Sequence, residues 1–332
     1  MGPRSRVAVA RAAPTSPGSV WLTPYWCDGA DPYRQEWWFR QREPGVVVVY
    51  ASGMPGDWFP RRGRPGPPAA SGVRSSAHAP PELPPAVRLF CFPHAGAGAA
   101  AYGRWARAAP PGVEVRGVEL PGRGSRFGEQ PRRRLHEAVD ALTAELPPLL
   151  DAPYVLQGHS MGALLAFETA RRLRVLGERD GTRQPSGLVV SGMPAPPQWP
   201  NRPPLHRLGR SALVLRETEL GIPAEVREDT DLLDLLLPAL LADLELTETY
   251  RYRPPAEGRP LNLPLTVLTA TRDPRAPARG AAAWAAMTEG ALDIRTFEGG
   301  HFFLHEHDGV LGAVLATPGL AEAGRSPSPG ER

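Results

Sequence analysis

Three polar residues sit in contexts suited to covalent acyl transfer: Ser160, Asp273 and His301. Ser160 is the centre of Gly158-His159-Ser160-Met161-Gly162, behind the apolar run Tyr154-Val155-Leu156 and ahead of Ala163-Leu164-Leu165-Ala166-Phe167. A strand, a sharp turn and a helix can lift a serine hydroxyl above a sheet edge, and flanking glycines let the backbone turn tightly. A free serine hydroxyl is a weak nucleophile and needs a neighbouring base. His301, which follows Asp293-Ile294-Arg295-Thr296-Phe297 across Gly299-Gly300, is the candidate base. Asp273 follows the strand-like Leu265-Thr266-Val267-Leu268-Thr269 and is the candidate to hold the imidazole tautomer and stabilise the imidazolium. In a chain with 35 glycines the serine pentapeptide alone can arise by chance. The order Ser, Asp, His, with the last two each closing a strand pattern, makes the combination specific for serine hydrolase chemistry.

Competing readings of the same residues are weaker. Asp293 is a rival to Asp273, but it lies within a strand pattern rather than at a strand end. His301, His305, His307 and Asp308 can be read as metal ligands, yet no full ligand set at zinc-like spacing accompanies them, so neither metal nor cofactor is expected. His94 and His159 read as structural neighbours of the site. The oxyanion of an acyl-transfer intermediate needs two backbone donors: the amide of Met161, next to the nucleophile, and one from His94-Ala95-Gly96, after an early strand. Arg123, Arg126 and Arg132-Arg133-Arg134 read as a solvated basic face.

Positioning these groups requires alternating strands and helices. Val87 to Phe92, Val113 to Val118, Tyr154 to Leu156 and Leu188 to Ser191 have the pattern of strands; Leu135, Val139, Leu142 and Leu146 recur at helical spacing. The helix after Ser160 is expected to run to about Leu176, with Gly177 as its stop. This alternation predicts an α/β fold with a mostly parallel sheet covered by helices on both faces. From 194 to about 255 the strand rhythm stops, and helical stretches are expected at Ser211 to Leu220 and Asp231 to Leu246. An insertion there has the position of a lid over the site. Residues 1–86 are dense in Pro and Arg and are expected to be disordered or loosely packed, although Trp21, Trp26, Trp37, Trp38 and Trp58 lie within them and Val46 to Tyr50 reads as a strand. The hydrolase unit is therefore placed at 87–316, with a flexible tail over 317–332.

Composition excludes other classes. A net charge of +3, without a basic stripe carrying aromatics, argues against nucleic acid. Charged residues interrupt the longest apolar stretch, Leu232 to Leu246, so no membrane span is expected. Arg4, Arg6 and Arg11 precede the first acid, but no apolar segment follows to make a targeting signal. Cys27 and Cys91 are too few for a disulfide scaffold and fit a reducing cytoplasm. A monomer is expected.

Longer stretches carry a resemblance. Leu89-Phe90-Cys91-Phe92-Pro93-His94-Ala95-Gly96, Glu119-Leu120-Pro121-Gly122-Arg123, Gly158 to Ala163, Glu248-Thr249-Tyr250-Arg251-Tyr252 and Gly300-His301-Phe302-Phe303-Leu304 resemble, in order, the type II thioesterases of polyketide and nonribosomal peptide biosynthesis. The resemblance spans Val87 to Leu311. It implies the α/β-hydrolase fold, a Ser160–Asp273–His301 triad, and oxyanion amides from Ala95 and Met161. The substrates it implies are acyl groups on the phosphopantetheine arm of an acyl or peptidyl carrier protein, removed to edit stalled or misprimed synthases. Two departures stand out: Ala270-Thr271-Arg272-Asp273 replaces the family's Gly-Asp-x-Asp, and residues 1–86 match nothing in the pattern. A general small-molecule carboxylesterase and a non-catalytic carrier-protein binder are the alternatives. A chain-terminating thioesterase would place its acid after the strand ending in Ser191, where Gly192-Met193 follows instead.

Overall fold

The computed structural model describes residues 36–40, 46–50, 58–59, 85–199, 202–208, 220–222, 226, 228–255 and 259–321. Its centre is a six-stranded parallel sheet in the order β4-β3-β5-β6-β7-β8. The strands are β3 (Val87–Phe92), β4 (Val113–Gly117), β5 (Tyr154–His159), β6 (Gly187–Ser191), β7 (Leu265–Ala270) and β8 (Leu292–Phe297). A separate antiparallel hairpin joins β1 (Glu36–Arg40) to β2 (Val46–Tyr50), in the register Trp38 to Val48.

Side chains alternate across the sheet, as a pleated strand requires. Phe90, Phe92, Leu156, Val190 and Val267 face one core. Helices α2 (Leu135–Glu145) and α3 (Met161–Asp180) cover that face through Leu142, Leu164 and Phe167. Leu89, Cys91, Val155, Val189 and Leu268 face the other, under α1 (Gly103–Ala108) and the helix Gly309–Leu315. Burial on both faces explains why the central strands β3, β5, β6 and β7 carry apolar residues at most positions on both sides.

Two helix ends depart from the sequence expectation. α3 passes Gly177 and stops at Gly181, whose φ of 77° lets its N–H reach the Gly177 carbonyl. Leu176 is therefore not its last turn. In the insertion, α4 runs Thr230–Glu248 and carries Pro238 within it. The Asp229 carboxylate accepts from the amides of Asp231 and Leu232 and fixes its start. The expected stretch Ser211 to Leu220 lies almost wholly outside the described residues.

The N-terminal region packs into the main core through Trp58 and Phe59. Trp58 and Phe59 are buried, with Phe59 edge-on to Phe90 at 5.1 Å and the Arg126 guanidinium 4.2 Å above the Trp58 ring. The Glu119 amide donates to the Trp58 carbonyl. At these two residues the expected loose packing gives way to core packing; the remainder of 1–84, apart from the hairpin, lies outside the described residues. Leu320 is likewise buried, beyond the expected boundary at 316. Among the described residues, no helix is long and apolar enough to cross a membrane.

Candidate active site

Parallel strands aim all their C-terminal ends at one edge, so groups that follow different strands can converge there. Ser160 follows β5, Asp273 lies three residues past β7, and His301 lies four past β8. His301 Nε2 is 3.0 Å from Ser160 Oγ, and His301 Nδ1 is 2.9 Å from Asp273 Oδ2. With the proton on Nδ1, the imidazole donates to the carboxylate and accepts from the serine hydroxyl. Asp293, the rival acid, instead accepts from Arg295 on β8.

The backbone at Ser160 is strained. It has φ 54° and ψ −120°, and it is the one non-glycine residue with positive φ among the described residues. Such a conformation costs on the order of 1–3 kcal/mol and persists only where its surroundings enforce it. Here the Ser160 amide donates to the Ser191 carbonyl on the neighbouring strand, and the Ser160 carbonyl accepts the Ala163 amide to begin α3. The flanking glycines serve close approach. A Cβ at Gly158 would strike the Gly162 carbonyl, and one at Gly162 would strike the Phe92 and Pro93 backbone. That contact lays the start of α3 against the loop after β3. The segments carrying the Met161 and Ala95 amides are thereby brought side by side.

Asp273 uses both carboxylate oxygens. Oδ2 faces His301, and Oδ1 accepts the amides of Arg275 and Ala276 at 2.8 and 3.2 Å. Burial alone would raise its pKa, but the hydrogen bond and charge of His301, with these two amides, outweigh that and hold the carboxyl below its ordinary range. The same amides stabilise the loop that departs from Gly-Asp-x-Asp. Burial lowers the His301 pKa, and Asp273 offsets only part of the fall. At neutral pH the imidazole is therefore a free base.

Three further histidines surround His301. The His159 ring lies 5.1 Å from that of His301, its Nδ1 2.9 Å from Ser191 Oγ. Burial, reinforced by the neighbouring histidines, pushes the His159 pKa well down and that of His94 to about 3. His305 Nε2 approaches His94 Nδ1 at 3.5 Å, while the His307 ring lies near Phe297. His301, His305 and His307 therefore do not converge on one point. Among the described residues no group of three or more His, Cys, Asp or Glu is arranged to hold a metal ion.

The basic cluster divides, contrary to the sequence reading of one solvated face. Arg132, Arg133 and Arg134 are exposed, the last two pairing with Glu245. Arg123 and Arg126 are buried. Arg126 pairs with Glu129 and covers Trp58. Arg123 Nη2 donates to Asp243 Oδ1 on α4 at 2.7 Å, and its Nη1 donates to Oδ2 of the same carboxylate. Sequence reasoning missed Asp243. Its one signal there was an acid interrupting the apolar stretch from Leu232 to Leu246.

Residues 87–317 match the family model described as "Thioesterase domain". The chain is 39% identical over 245 residues to the thioesterase PikA5 of Streptomyces venezuelae, covering 72% of this chain and 84% of that protein. It is 34% identical to the gramicidin S biosynthesis protein GrsT of Aneurinibacillus migulanus, covering 66% and 84%. The solved structure of the type II thioesterase BorB from the borrelidin biosynthetic cluster superposes with a TM-score of 0.64 at 38% identity. That alignment covers 74% of this chain and 95% of BorB.

Proposed function

This chain belongs to the thioesterase family, and from that premise we propose that it clears acyl groups from the phosphopantetheine arm of a carrier protein in polyketide or nonribosomal peptide synthesis. It is an α/β-hydrolase that cleaves thioesters by serine chemistry. The observation that carries the assignment of residues is the relay from Asp273 through His301 to Ser160, at 2.9 and 3.0 Å on a strained strand-to-helix turn.

In the proposed reaction Ser160 Oγ attacks the thioester carbonyl as its proton passes to His301 Nε2. The amides of Ala95 and Met161 hold the oxyanion, and Asp273 stabilises the imidazolium. Collapse breaks the C–S bond, and the pantetheine thiol leaves with the proton from His301. A thiolate is already a good leaving group, so this protonation matters less than in peptide hydrolysis. Water, giving its proton to His301, then attacks the acyl-enzyme. The acid departs as Ser160 regains its proton. Helix α4 is proposed as part of a lid that shapes the acyl site.

Support for the carrier-bound substrate comes from the biosynthetic relatives together with matched sequence well outside the three catalytic positions. The test compares hydrolysis of one short acyl group on a carrier protein and on free pantetheine, with wild type and Ser160→Ala. Much faster clearance of the carrier-bound form, abolished in Ser160→Ala, supports the proposal. Equal rates on both substrates would favour a general esterase.

A further inference from the structure

Asp243 lies on α4, within the insertion, yet its carboxylate does not face solvent or a partner on its own helix. It is 1% exposed and reaches across to the loop after β3. Oδ2 accepts the Gly96 amide at 2.8 Å, one peptide unit from the Ala95 amide proposed as an oxyanion donor. Arg123 binds both oxygens of this carboxylate, and its Nη1 also donates to the Ala97 carbonyl at 3.0 Å. The loop is thus held on consecutive residues, by an N–H at Gly96 and a C=O at Ala97. Within it the Ala97 amide donates to the His94 carbonyl and closes a tight turn. Leu240, one turn before Asp243, packs so closely over Gly96 that a Cβ there would come within 3.2 Å of its Cδ1.

We infer that Asp243, paired with Arg123, is a positioning residue of the reaction: it fixes the direction of the Ala95 amide and so couples the seating of α4 to the readiness of the oxyanion site. Two physical arguments support this. Orientation of an oxyanion donor matters most in the transition state, when charge has moved onto the carbonyl oxygen. A buried carboxylate so near would oppose that charge unless neutralised, and the two-pronged Arg123 contact supplies the compensation at close range. Burial works against the charge on Arg123, but Asp243 and Glu119 outweigh it and raise its pKa, so the cation persists.

The inference rests on the oxyanion role proposed above for Ala95. Its test follows thioester hydrolysis by wild type, Asp243→Asn and the doubly apolar Arg123→Met/Asp243→Leu. The double variant keeps the interior filled without an unpaired charge, so it serves if the single one does not fold. Alongside kcat and KM, the inhibition constant of an acyl trifluoromethyl ketone is measured, because its adduct with serine places an anionic oxygen in the oxyanion site. The loss expected in kcat is about 10- to 100-fold, below that of deleting an oxyanion donor, with KM little changed. The ketone should weaken by the same factor, and the melting transition should remain cooperative. A folded variant retaining full kcat would overturn the inference, as would a loss confined to KM with the ketone unaffected. Ser160→Ala separates the two levels. If it is inactive while the clamp variants are normal, only the positioning role fails. If Ser160→Ala retains activity, the site assignment fails and takes the positioning role with it.

Discussion

The strand-end triad and the clamp on α4 use similar chemistry, a carboxylate bound to a cationic or basic partner, but are assembled differently. Ser160, Asp273 and His301 each follow a strand of one parallel sheet, so short local sequences set their positions. The clamp joins Gly96, Arg123 and Asp243, whose partners are 120 and 147 residues apart. A second contrast lies in charge. Asp273 is held by two backbone amides and an imidazole, whereas Asp243 accepts the Gly96 amide but depends on a full guanidinium. The triad is therefore a product of local backbone geometry, and the clamp a product of tertiary packing.

Removing a member of the candidate triad should have the largest effect. Ser160→Ala and His301→Ala should each lower kcat on the order of 10⁴- to 10⁶-fold, and the double variant should be no worse, because the groups act as a unit. Single-turnover kinetics against the uncatalysed rate would measure this; additive losses would argue against a shared step. Asp273→Asn, which no longer holds the Nδ1 tautomer, should lose about 10⁴-fold in kcat with the fold retained.

The clamp should yield first in stability. Arg123→Met leaves Asp243 buried without its cation and should cost about 3–5 kcal/mol in urea unfolding, and Asp243→Leu on the same background should restore much of it. Arg134→Ala, from the same sequence cluster, should cost less than about 1 kcal/mol because its pair with Glu245 is largely solvated. Equal costs for Arg123 and Arg134 would erase the distinction between the two halves of the cluster.

Acid should separate the regions more gently. Folded His94 takes up a proton only near pH 3, and the folded pKa of His159 is also depressed, whereas both titrate near 6.5 when unfolded. Below about 6.5 the unfolded chain therefore binds more protons, and stability should fall progressively as pH drops toward 3. The acid limb of kcat/KM should follow the depressed His301 and lie below pH 6.5. Urea midpoints and rate profiles from pH 4 to 8 would read both; a stability that rises on acidification would contradict the buried neutral histidines.

Much of this was legible in the sequence. The parallel sheet was legible because its buried inner strands are rich in apolar residues while its edge strands β4 and β8 alternate apolar with charged or polar ones, and the pentapeptide around Ser160 announced its own turn. Asp273 could be told apart from Asp293 in the sequence because it follows a strand pattern whereas Asp293 lies inside one; in the structure Asp273 faces His301 and Asp293 faces Arg295. Arg123 reads as solvated in the sequence because it lies close to the exposed run Arg132-Arg133-Arg134, and its buried partner Asp243 is 120 residues away. Gly177 reads as a helix stop in the sequence, but the left-handed backbone of Gly181 decides where α3 ends. Trp58 and Phe59 were absorbed into a Pro-rich segment whose composition hid two core side chains.

One serine, held by this turn, is proposed to carry the covalent chemistry. The most direct test of that role is labelling with a fluorophosphonate followed by peptide mass mapping and a thioesterase assay. One equivalent of label is expected, on the peptide containing Ser160, with activity lost in step. Label on another residue, or full thioesterase activity after Ser160 is modified, would contradict it.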